Sequence, residues 1–89
     1  MPSNNADPIV HQVTEIADYE ALREVANQLA GLLVARQRTA TSDEEARAWR
    51  LEHRALRARL DDIQPHTPAV TEALEQVGNR LVQLRGGAA

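Results

Sequence analysis

The stretch SDEEARAWRLEHRALRARLDDI, residues 42–63, decides the fold. Ser42 followed three residues later by Glu45 has the form of a capping box. The serine oxygen can accept from the third amide of a helix while the glutamate reaches back. Beyond that cap, Ala46, Trp49, His53, Leu56, Leu60 and Ile63 recur in steps of three and four. Such steps lay one apolar seam along a helix and average to the 3.5-residue period of helices packed at shallow angles. Gln64-Pro65-His66 breaks the pattern, so the segment predicts a helix over 43–63.

The flanking segments repeat this logic. Downstream, Thr67-Pro68 has the cap-then-proline form of a helix start, and Val70, Leu74, Val77, Leu81 and Leu84 continue a seam until Gly86-Gly87. Upstream, Asp7-Pro8 opens a third periodic region with Ile9, Val13 and Ile16, then Leu22, Val25, Leu29 and Leu32. The gap of six between Ile16 and Leu22 permits a break near Asp18, yet no glycine or proline interrupts there, and the reading is one long helix over 8–38. Thr39 to Ser42 reads as a turn. The expected domain is a single helical unit over 8–85, with disordered tails at 1–7 and 86–89.

These elements predict an all-α, three-helix antiparallel bundle, because short connections make sequential helices antiparallel neighbours. At 1.5 Å per residue the helices would measure about 46, 31 and 27 Å. Two short rods leave roughly a third of a long one uncovered, and that third carries Ile9, Val13 and Ile16. An exposed apolar stripe marks an interface, so homodimerisation, or a different protein laid along the amino-terminal third, is expected.

Composition narrows the function. An 89-residue chain buries only about 60% of its unfolded surface, so packing and association must supply stability. There is no cysteine, hence no disulfide and no thiolate chemistry. His11, His53 and His66 lie in three separate segments without ligand spacing. No stretch approaches the roughly 18 apolar residues of a membrane span, and a cytoplasmic location is the default. No nucleophile–base pair, phosphate loop or metal signature is present, so neither catalysis nor a cofactor is expected.

Net charge is −3, with all ten basic residues arginine. Residues 1–35 carry five acids against Arg23, residues 36–59 carry seven arginines against four acids, and residues 60–89 return to a net −2. Arg47, Arg50, Arg54 and Arg57 form a row beside the seam of the middle helix. Arg47, Arg57 and Arg59 have acids in reach at Asp43, Asp61 and Asp62, whereas Arg50 and Arg54 have none on their own helix. These two could pair across the bundle with Glu20, Glu24, Glu72 or Glu75, meet an acidic partner or a second protomer, or bind phosphate. An acidic total without lysine or an aromatic platform argues against nucleic acid. Trp49, on the seam with its N–H expected at the rim, is a core residue or an interface anchor. His53, one turn on, would make assembly pH-sensitive if buried. Gly31 and Gly78, inside helices, are read as places of close helix approach.

Two short stretches invite comparison with known families. Residues 32–38, LLVARQR, resemble a first-helix segment of the all-helical chorismate mutases, which are intertwined dimers that rely on a site lysine. This chain has no lysine. Residues 71–76, TEALEQ, resemble the inhibitory helix of Fic-family antitoxins in Thr71 and Glu75, but have Gln76 where that motif has glycine or asparagine. The expected function is a non-enzymatic protein–protein interaction module, an antitoxin- or immunity-like binder or regulatory partner, with a self-associating phage, plasmid or complex subunit as the alternative and a small helical enzyme of chorismate-mutase type as a remote one. Ile9, Val13, Ile16, Trp49, Arg50 and Arg54 are the candidate partner-binding residues.

Overall fold

A computed structural model describes residues 7–86, with side chains from residue 17 onward. It contains three helices: α1 over Asp7–Arg38, α2 over Asp43–Asp62 and α3 over Pro68–Gly86. Helix α1 is continuous through Asp18, in keeping with the absence of a breaker there. The expected tails fall largely outside the described residues.

Local chemistry accounts for the boundaries. Ser42 adopts extended backbone and its Oγ accepts from the Glu45 N–H at 3.1 Å. The Glu45 carboxylate reaches one residue further back than a capping box requires. It accepts from the Thr41 N–H at 3.1 Å and the Thr41 hydroxyl at 3.0 Å. Helix α2 ends one residue before the expected Ile63, which turns to extended backbone and folds its side chain into the core. In the next connection His66 takes a left-handed φ of 69°, the conformation that glycine usually supplies. Thr67 does not cap α3 with its side chain. Its hydroxyl instead donates back to the Gln64 carbonyl at 2.7 Å.

Helix α1 is the central element. Both α2 and α3 pack on it, while no Cα of α2 comes within 8 Å of one of α3. The thinnest extent of the Cα trace, 14 Å, fits two helix layers. The core is Leu22, Ala26, Leu29 and Leu33 from α1, Leu56 and Ile63 from the second segment, and Val70, Ala73, Val77, Leu81 and Leu84 from α3.

This differs from the expected seam on α1. Ala26 and Leu33 are buried, while Val25 and Leu32 are half-buried flanks. A helix gripped by two neighbours must bury a broader face than a two-helix seam needs. The glycines also differ from expectation. A Cβ at Gly31 or at Gly78 would meet nothing within 4 Å, so neither serves a close approach within the chain.

Candidate functional site

The structure gives each proposed partner-binding residue a different standing. Ile9, Val13 and Ile16 lie on the amino-terminal part of α1, whose backbone is helical, but their side chains fall outside the described residues. Helix α1 has 32 residues against 20 and 19 for α2 and α3, an excess of about 18 Å at 1.5 Å per residue. At its other end Arg36 is engaged by both neighbours. The excess therefore lies at the amino terminus, beyond Asp18, which shares a crevice with Thr67, Val70 and Thr71.

Trp49 is not a free anchor. It sits at the junction of all three helices, with the guanidinium groups of Arg36 from α1 and Arg80 from α3 each 5.9 Å from its ring centroid. Both cations are fixed independently of the ring. Arg36 donates to the Leu84 carbonyl at 2.9 Å, which places a positive charge at the carboxyl end of α3, where the helix dipole favours it. Arg80 donates from Nε and Nη2 to the two carboxylate oxygens of Glu52, both at 2.7 Å, and from Nη1 to Gln83. The Trp49 Nε1–H is buried without an acceptor in hydrogen-bonding geometry, rather than facing the rim.

The shifted ionisations follow from the same contacts. Glu45 is held below the usual carboxylate range by the two Thr41 hydrogen bonds, with smaller pulls from the Trp49 N–H, which is near but outside hydrogen-bonding geometry, and from the Arg36 charge. Arg80 is held even more firmly protonated by the Glu52 carboxylate. Both shifts belong to contacts that hold the bundle together.

The arginine row on α2 contrasts with this. Arg47, Arg50, Arg54 and Arg57 are all exposed. None of them, nor Arg59, has a carboxylate within ion-pair distance among the described residues. The expected pairings with Asp43, Asp61, Asp62, Glu20, Glu24, Glu72 and Glu75 are not formed. Glu24 and Glu72 instead accept from the amides of Gln28 and Gln76 one turn on, at 3.3 and 3.4 Å.

Next to the row is a surface that sequence reading missed. Ala48, Leu51, Ala55 and Ala58 repeat at three, four and three, and all are exposed. Leu51 retains 51% of its accessible surface. The signal was present as a second apolar stripe two residues off the seam, masked by the small side chains. Between α2 and α3 the surface opens into a cleft of about 200 Å³. Leu29, Leu56 and Val77 line it together with Ala55, Arg59 and Arg80.

Among the described residues there is no group of three His, Asp or Glu side chains that could hold a metal ion, and no helix is long and apolar enough to cross a membrane. The chain matches no protein-family model, no curated protein and no solved structure.

Proposed function

We propose that this chain is a non-enzymatic protein-interaction module that acts through its helix surfaces, as a binder or regulatory partner of another protein or of itself. The observation that carries this reading is the outward side of α2. It joins an exposed Ala/Leu stripe to a row of arginines that have no carboxylate within ion-pair distance among the described residues. Unpaired guanidinium forks suit an acidic protein surface, which they can grip in bidentate fashion. Aligned cations on one helix also repel one another, and an acidic partner relieves that repulsion.

Residue pairings also support an up-down-up, antiparallel course: Tyr19 and Leu22 share a crevice with Leu60 and Asp61, Arg36 meets Trp49, and Glu52 meets Arg80. That course leaves α2 with a whole side toward solvent.

The second reading, a self-associating assembly subunit, is favoured by the excess length of α1 over its neighbours.

The test is capture of partners by the tagged full chain, compared with a chain carrying Arg50→Glu and Arg54→Glu, together with solution mass by light scattering. A stoichiometric complex or self-assembly weakened by the charge reversal is the expected result. A chain that stays alone at all concentrations and retains nothing, with or without the reversal, would refute the reading.

A further inference from the structure

We infer that the cleft between α2 and α3 is a helix-docking site, and that its occupant is the amino-terminal third of α1 from a second copy of the chain. This rests on the interaction reading above and names the partner. The cleft has the form of a missing helix. Helices α2 and α3 each pack on α1 but do not approach one another, so the buried Leu29, Leu56 and Val77 form the floor of an opening between them. A fourth helix laid there would complete a bundle, and its apolar face would need to match the lining of α2 from Glu52 to Arg59, about two helical turns.

Helix α1 supplies such a segment. Its excess over α2 and α3 is about 18 Å, and Ile9, Val13 and Ile16, at steps of four and three, fall on one helix face. It cannot fold into its own cleft. Leu29 lines that cleft, and Val13 lies 16 residues earlier on the same continuous helix, about 24 Å away along its axis. The segment's target is therefore another molecule.

Charge favours the same occupant. Residues 7–20 contain Asp7, Glu15, Asp18 and Glu20 and no arginine. The cleft is lined by Arg59, Arg80 and Glu52; Arg80 is taken up by Glu52, which leaves Arg59, without a carboxylate partner among the described residues, as the one unmatched charge of its lining. A two-fold axis beside the projecting ends lets each copy give its segment and receive the other's, a closed isologous dimer. In that arrangement the acidic amino-terminal segment of one copy meets the Arg59 side of the other's cleft.

The experiment uses full chains. Light scattering over a hundredfold concentration range is expected to show twice the 9.8 kDa monomer mass at the upper end. Val13→Glu, which removes the apolar face, and Ala55→Trp, which fills the cleft from an exposed position, should each weaken association by about tenfold or more. Val82→Gln, on an exposed site away from the cleft, should leave it unchanged. Circular dichroism separates loss of contact from loss of helix. Because the chain has no cysteine, a mixture of Val13→Cys and Ala55→Cys chains should give a mixed dimer with a short bismaleimide. A monomer at every concentration overturns the inference, while partner capture sensitive to Arg50→Glu would still uphold the broader reading. A dimer indifferent to Ala55→Trp and without the mixed crosslink also overturns it, and places self-association on another face.

Discussion

Arg80 on α3 grips Glu52 on α2 through a two-pronged contact, both prongs at 2.7 Å, across a gap that the two helix backbones do not close. The fork spans one end of the cleft and brings Arg80 over Trp49. Its energetic worth is limited, because the two side chains keep 33% and 32% of their exposure. A double-mutant cycle with Glu52→Gln and Arg80→Gln should give a coupling of about 0.5–1 kcal/mol, the upper range for exposed pairs, in keeping with bidentate geometry. Urea titration of the four proteins measures it. Coupling near zero would show that the fork adds nothing to the stability of the bundle.

The start of α2 provides a second prediction. Ser42→Ala removes the acceptor for the Glu45 N–H and should lower stability by about 1 kcal/mol. In a domain of this size that lowers Tm by about 4–8 °C.

The carboxylate of Glu45 adds a pH dependence whose sign can be stated. Its pKa is lower in the folded chain than the ordinary value of 4.5, chiefly through the Thr41 hydrogen bonds. A depressed carboxylate contributes stability at pH above its unfolded value and loses that contribution as pH falls through the folded pKa. Glu45→Gln should therefore reduce stability at pH 7 and narrow the difference from the parent chain at pH 3. Thermal melts at the two values decide it. A difference that does not change with pH would detach Glu45 from acid sensitivity.

Glycine replacement tests the open surroundings of α1 and α3. Gly31→Ala and Gly78→Ala each place a methyl where nothing lies within 4 Å. Each should raise monomer stability by about 0.5–1 kcal/mol, since glycine in a helix interior carries that penalty relative to alanine. A gain in stability accompanied by loss of association would mark that glycine as a contact point between molecules.

The core sets the scale for the others. Leu22 and Leu33 are both fully buried, at 0% exposure, on opposite ends of the covered part of α1. Leu22→Ala or Leu33→Ala should cost about 2–5 kcal/mol, a large share of the 5–15 kcal/mol that holds a typical native protein together. Circular dichroism during denaturant titration would then show a much earlier transition. By contrast, Leu51→Gln, at an exposed position, should stay within about 0.5 kcal/mol of the parent and affect partner binding instead.

What the residues determine alone is local. Three helices, a continuous α1 and the Ser42 cap all arise from interactions within a few positions: apolar periodicity, capping oxygens and the placement of proline. These act along the chain and can be read along it. The tertiary structure decided how wide a face each helix buries, because that depends on how many neighbours a helix has. It moved the α1 seam to Leu22, Ala26, Leu29 and Leu33, and it brought Arg36, Trp49 and Arg80 together from three separate helices. It also separated the arginines that hold the bundle from those that do not. Arg80 lies opposite Glu52 across a gap, while Arg50 and Arg54 have no carboxylate within ion-pair distance among the described residues. Sequence spacing places acids and arginines on faces, but only the packed arrangement sets the distances between faces, and Coulomb and hydrogen-bond energies depend on those distances.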